Sequence, residues 1–419
     1  MLRFRVLLLA AAAAAPLFSQ AVTVVNAQES FVFENVRTKS DDGTVEFSAP
    51  RIEVQGANVT RAQLERIAGA SATEAERFDF LMTLRARRIS IPEMTVQNLE
   101  DQKSRIVVRA SVAENVDAGR FDRLALGGFD GVFVGEGVGE GTLKSGPIIM
   151  EGGDFSKLLA AAKAGAVENG TAKLRLFSWT GFEAAVPDTD LPPTAVGGNM
   201  YRIAIGSVRA VTDYAGDLPT KATASFDGLV FTAPPGSEVG RSLAGFGYQK
   251  LELGMAFDGV YNPAARTFQL NDYSLRGANA GALAISGLFG GVAPDAFIGD
   301  GDKRLSALMG SNVTTLTLRY VDSGLAQKAM AFYAATQGKN LAAVRRELTI
   351  MTGALPILMG GDPASLRLAQ AFGSFILEPK SLTVSLKVKK GPITWADIAN
   401  MGDPSTFFSR VELTATANQ

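Results

Sequence analysis

The chain has 419 residues and a formal net charge of −1, with 41 basic and 42 acidic side chains. It has neither cysteine nor histidine. That excludes disulfides, thiol chemistry, lipoprotein acylation, Ser-His-Asp and Cys-His catalysis and histidine-based zinc sites. The mild, mixed charge leaves no footprint for nucleic acid and no polybasic membrane patch.

Residues 1–27 read as a signal peptide. Arg3 and Arg5 form a basic n-region, and residues 6–15 are an unbroken apolar run closed by Pro16. Val25-Asn26-Ala27 is a V-x-A cleavage site and Ser19-Gln20-Ala21 a second. Cleavage predicts an exported, periplasmic chain with no transmembrane span. The other reading is an uncleaved inner-membrane anchor, because residues 6–27 have the ~20-residue length of a span.

Residues 28–311 are expected to form an antiparallel β-rich region with a few short helices. Alternation or β-branched enrichment predicts strands at 44–54, 88–96, 104–112, 172–179, 201–211, 225–232, 250–261, 266–277 and 281–290. "YNPAART" (261–267) reads as a hairpin turn. The strands are one-sided, as in a sheet with one wet face. Strand-turn-leucine units recur loosely, but their spacing is too irregular for a repeat. Three helices interrupt this region. The first is "RAQLERIAG" after Thr60. The second is 71–88, with Ser71 and Glu74 in capping-box spacing and Phe78, Leu81 and Leu84 on one face. The third is 154–170, running from Asp154 to a stop at Asn169-Gly170.

Residues 312–419 change texture and predict a C-terminal β-ααα-β-α-β module. In "VTTLTLRYV" (313–321), Leu316, Leu318 and Tyr320 face one way and Thr315, Thr317 and Arg319 the other. Helices follow at 322–338, at 340–360 with a break at Pro356, and at 362–376 with Asp362 as cap and Pro363 in the first turn. Strands at 381–390 and 411–417 close the module. Its helices are expected on the apolar sheet face. The polar face, with Arg319, Lys387 and Glu412, is expected to pair across strands. The fold class is β-rich α+β: an extended antiparallel meander followed by this module.

Chemical motifs are absent where an enzyme needs them. "GVFVGEGVGEGTLKSG" (131–146) holds glycines at 135, 137, 139 and 141. It matches neither G-x-G-x-x-G nor G-x-x-x-x-G-K-[ST], and its two glutamates oppose a phosphate. Its period of two predicts either a strand with one smooth face or a flexible hairpin or weak edge strand. Asp188 with Asp190, and Asp300 with Asp302, are acidic pairs best read as solvated turn residues. The run after Asp300 lacks the later calcium ligands, with Arg304 and Ser311 at those positions. No G-x-S-x-G occurs. No catalytic, cofactor-binding or metal-ligating residue is assigned. The dense apolar residues of the helical block read as core. The alternative is an acyl-chain groove formed by Met330, Tyr333, Met351, Met359 and Phe372.

The hairpin segment "LGMAFDGVYNPAARTFQLNDYSLRGANAGALAISGLFGG", joined to the strand–helices–strand tail, resembles proteobacterial periplasmic proteins related to the AsmA-like and DUF945 (YdgA-like) families. The motif F-D-x-x-Y-x-P-x-x-R-T-F-x-L carries the resemblance, over about a tenth of the chain. It implies an elongated curved antiparallel sheet with an apolar concave face, a role in envelope homeostasis or lipid handling, and no catalytic residues. Such proteins usually keep an N-terminal anchor, and the cleavage site departs from that. The functional expectation is a non-enzymatic envelope protein that binds an apolar or lipid-like ligand or supports envelope maintenance. Its partners would be lipid or another envelope protein, with no cofactor. The rivals are a ligand-free structural or interaction protein, and a glycan hydrolase using two carboxylates.

Overall fold

The computed structural model describes residues 29–40, 43–68, 72–135, 139–165, 171–298, 301–358, 361–399 and 404–419. The expected signal peptide, Ser71, the stop at Asn169-Gly170, Asp300 and Met359 lie outside them. The fold is mostly antiparallel β-sheet, with a helical segment between strands near the C-terminus. The chain divides into two compact units, Met1–Val211 and Thr212–Gln419. The change of texture at Asn312 falls inside the second unit, on a strand.

The first unit begins with β1 (Glu29–Lys39), β2 (Val45–Ala57), α1 (Arg61–Ala68) and α2 (Glu74–Leu81). It continues through β3 (Arg85–Asn98), β4 (Arg105–Asp117), β5 (Arg120–Leu126), β6 (Gly128–Gly135), β7 (Gly139–Ser145), β8 (Ile148–Asp154), α3 (Ser156–Lys163) and β9 (Lys173–Pro187) into β10 (Met200–Ala215). The helix expected over 71–88 is much shorter. Its capping box is Thr73 with Glu76 rather than Ser71 with Glu74. Residues 85–88 are strand instead. Leu84 and Ala86 are buried at strand spacing, and Arg85 and Arg88 pair with Asp117 and Glu114 of β4. Helix α3 starts after Asp154, whose carboxylate accepts from the Ser156 amide and hydroxyl. Burial pushes that carboxyl up, but the Ser156 hydrogen bonds and Arg120 outweigh it and hold it below the ordinary range.

Neighbouring strands pair antiparallel from β1 to β4. β5 and β6 then act as one interrupted strand beside β4. β8 and β7 act as the next, followed by β9 and β10. The interruption keeps register: Val112 faces Ala125 and Arg105 faces Val132 with no residue gained or lost between.

That break belongs to a crease crossing every strand of this unit. Apolar residues recur at spacing two, two positions are skipped, and the pattern resumes: Phe31 and Phe33, then Val36; Phe47 and Ala49, then Ile52 and Val54; Ile89 and Ile91, then Met94 and Val96; Phe177 and Trp179, then Phe182 and Ala184; Ile203 and Ile205, then Val208 and Ala210. Strict alternation would put the two halves on opposite faces. They share one face instead, because Phe33, Val36, Ala49, Ile52, Ile91 and Met94 all belong to one buried core. The skipped positions carry the residues that permit this: Asn35 (φ 54°), Pro50, Pro92, Ala110 (φ 49°), Gly128 (φ 122°), Pro147, Gly181 (φ 67°) and Gly206. Left-handed residues and prolines break the pleat and the ladder bond together.

The second unit contains β11 (Leu218–Thr232), α4 (Glu238–Gly245), β12 (Leu251–Asn262), β13 (Thr267–Gly277), β14 (Gly281–Gly290), α5 (Asp295–Ile298), α6 (Gly301–Gly310) and β15 (Asn312–Asp322). After them come α7 (Leu325–Thr336), α8 (Leu341–Gly353), α9 (Leu355–Leu358), α10 (Pro363–Leu377), β16 (Ser381–Val388), β17 (Ile393–Thr394), α11 (Trp395–Ala399), α12 (Pro404–Arg410) and β18 (Val411–Ala417). The ladder runs β11–β12–β13–β14–β15–β16–β18, with β17 on the start of β15. The hairpin at 261–267 forms as expected, Asn262 Oδ1 accepting from the Ala264 and Ala265 amides at 3.1 Å. On the polar face Lys387 sits opposite Glu412, and Thr317 bonds Ser385 at 3.1 Å. The run after Asp300 is helix α6, not a turn, with Asp302 in its first turn.

The helices of this unit stack in layers. α10, capped by Asp362 at the Ala364 amide, packs on β16 and β18. α8 packs on α10 and α7 rather than on the sheet. The expectation that the whole block covers the apolar sheet face is therefore met by α10, while α8 forms an outer layer.

Candidate functional site

Of the predicted groove residues, Met359 lies outside the described residues and the other four differ in burial. Met330 is core, packed with Ala334 and Val344 between α7 and α8. Tyr333 and Met351 face solvent, Met351 with 61% of its surface exposed. Phe372 is half-buried on α10. The reason is the layering: with α10 on the sheet, α8 turns its Leu341, Val344 and Leu348 side inward and leaves Ile350 and Met351 exposed near its far end. Asp188 and Asp190 form a turn, Asp188 accepting from the Asp190 amide and the Tyr201 hydroxyl at 3.0 Å each. Among the described residues no group of three or more acidic side chains is placed to hold a metal ion.

A different apolar surface emerges in the first unit. Over β1–β4 the one-sided face is mostly buried, with Ile89, Val96 and Ile106 partly so, and Leu126 and Phe129 pack against the edge of that core. Over β7–β10 the same face continues, but its side chains are only half-buried. They include Ile148, Met150, Phe177, Trp179, Ile205 and Val208. Leu126, Ile148, Trp179 and Val208 stand directly opposite one another on successive strands, forming one row. Phe182 and Ile205 form part of a second row beyond the crease. The rows meet at Trp179, whose ring lies 5.1 Å from Phe182 and whose Nε1–H donates to Ser145 Oγ at 2.7 Å. Ser145 in turn donates to the Gly146 carbonyl at 2.9 Å, so the polar atoms of this bridge are satisfied.

The glycine stretch finds its explanation here. Gly135 and Gly139 close the β6–β7 hairpin, and Phe133 lies opposite Gly141 with its ring where a Cβ would stand. Phe121 covers Gly153 in the same way. These glycines let aromatic rings lie flat on the sheet. Of the two readings of this stretch, the hairpin describes Gly135 and Gly139, which pair across it, and the smooth face is limited to the β7 side, where Phe133 covers Gly141; Gly137 lies outside the described residues.

The reverse face is mixed: two charged rows flank a half-buried apolar row of Val112, Ala125 and Ile149. Glu93, Arg109, Asp130, Lys144 and Glu183 alternate in sign across β3, β4, β6, β7 and β9. A second row runs Arg88, Glu114, Arg123, Glu151, with Arg175 on Glu151 at 2.7 Å. Exposed pairs of this kind add only about 0–1 kcal/mol each. Their main effect is to fix which face meets water.

A family model described only as an uncharacterized protein matches residues 274–418, from within β13 to the end of the chain's last strand. No curated protein matches this chain.

Proposed function

We propose that the protein is a non-enzymatic, exported envelope protein that binds an apolar or lipid-like ligand on the face of β7–β10. The observation that carries the proposal is a sheet face whose aromatic and aliphatic rows continue past the end of their own core, while the reverse face carries two rows of alternating charge around one shorter apolar row. These side chains are half-buried, and apolar surface left partly open in contiguous rows marks binding surfaces. Leu126, Ile148, Trp179, Val208, Phe182 and Ile205 are all uncharged, so the contact they offer is to a hydrocarbon chain rather than to a headgroup. The resemblance to the AsmA-like and DUF945 (YdgA-like) families supports the same reading, as does the signal peptide for export. The missing histidine and cysteine remove the commonest catalytic groups.

The first test is native mass spectrometry of protein purified from the envelope fraction, with lipid extraction alongside. The proposal expects added mass matching a fatty acid or phospholipid, lost in a Phe182→Asp variant. A clean apo mass, with no uptake of fluorescent fatty acid, would reject it.

A further inference from the structure

We propose that the tip of the helical layer, where α8 ends and α9 and α10 begin, docks onto the surface of a phospholipid bilayer. Ile350, Met351, Ile357 and Leu366 are 68%, 61%, 83% and 49% exposed. α9 packs against both α8 and α10, which brings the end of α8 and the start of α10 together. From 348 to 361 the sequence carries no charged side chain. An uncharged, apolar projection has no favourable place in water.

The charges behind the tip select the occupant. Arg345 and Arg346 lie about 6 Å back along α8 from Ile350, at 1.5 Å per residue. Arg346 is exposed and supplies the charge nearest solvent, while Arg345 is half-buried, its Nε buried and without a hydrogen-bond partner among the described residues. The nearby acids are engaged: Glu347 with Lys339 at 2.6 Å, and Asp362 with the Ala364 amide at 2.7 Å. Free positive charge one turn behind an apolar tip matches phosphate groups above an acyl layer. A second copy of the chain fits less well. A two-fold contact through the tip would bring like arginines together, and four side chains fall far short of the ~20–30 residues a side of a stable interface. α8 has 13 residues, too short to span, so the contact is shallow.

The test is flotation of the purified full chain with vesicles of phosphatidylethanolamine and phosphatidylglycerol, and separately with phosphatidylcholine. Wild type should float with the anionic vesicles. Ile350→Asp with Ile357→Asp should weaken this at least ~tenfold, and Arg345→Gln with Arg346→Gln by about tenfold at low salt. Leu377→Ser, at the far end of α10 and 60% exposed, should float like wild type. All these side chains except Arg345 are exposed, and circular dichroism melts check that each variant folds. Fatty-acid binding at the β7–β10 face should be unchanged in the tip variants, which separates this proposal from the ligand reading. Three results would overturn it: wild type that does not float, an Ile350/Ile357 double variant that floats like wild type, or a dimer that the double variant abolishes.

Discussion

Replacing Phe33 with alanine is expected to destabilise the first unit by about 3–5 kcal/mol, the usual cost of emptying a phenylalanine site in a packed core. Phe33 is 1% exposed. Its ring sits 6.2 Å from Phe31 and beneath the Arg61 guanidinium at 5.1 Å. It also stands at the crease, directly opposite Ile52 and two skipped positions from Val36. Removing it leaves a cavity on both sides of the line, and Arg61 loses the face it covers. Urea unfolding followed at Trp179, with Trp395 replaced by phenylalanine, measures the change. Val32→Ala on the same strand, 40% exposed, should stay within about 0.5 kcal/mol. Equal effects of the two substitutions would mean that Phe33 is not packed as described.

Gly128→Val is the second large effect. Gly128 has φ 122°, and a Cβ there would collide with the Ser145 carbonyl. The strain of a glycine-only conformation is about 1–3 kcal/mol, and forcing two strands apart adds a similar amount. A loss of roughly 3–5 kcal/mol is expected. Gly165→Ala is the contrast: its φ is 72°, but nothing lies within 4 Å of the new Cβ. That variant carries only the backbone term, about 1 kcal/mol. Matching melts for the two variants would remove the close approach of strands at the crease.

These two variants bear on what the sequence revealed. Most strands were readable from alternation, and their ends were within a few residues for β12, β13, β14 and β18. The reading of β9 stopped at Trp179, although the strand runs to Pro187. It stopped there because Thr180-Gly181 at the crease resembles a turn, whereas the readings of 44–54, 88–96 and 201–211 run across the crease. β5 to β8 were missed for a related reason. They are short pieces split at Gly127 and at Gly146-Pro147, and glycines facing Phe121 and Phe133 thin their apolar pattern. The signal that would have found them is the repeated spacing of two, three and two, present in β2, β3, β9 and β10. The candidate face was illegible for the same cause, since Trp179 and Phe182 appear to alternate onto opposite faces until the shift is recognised. In the helical block the apolar density of 350–357 suggested core. Whether a helix lies against a sheet or against another helix is a tertiary fact that its own periodicity does not carry.

The decisive measurement uses the two tryptophans as separate reporters. Trp179 stands on the proposed ligand face, while Trp395 stacks on Phe289 at 5.9 Å in the core of the second unit. A sixteen-carbon chain covered on one side gains on the order of 6 kcal/mol, at roughly half of 0.8 kcal/mol per methylene, which corresponds to binding at tens of micromolar. Titration with dibromostearic acid should therefore quench the Trp395→Phe variant saturably in that range. The Trp179→Phe variant should keep its emission. Equal quenching of both variants, or none in either up to millimolar concentration, would show that the β7–β10 face is not where an apolar chain binds.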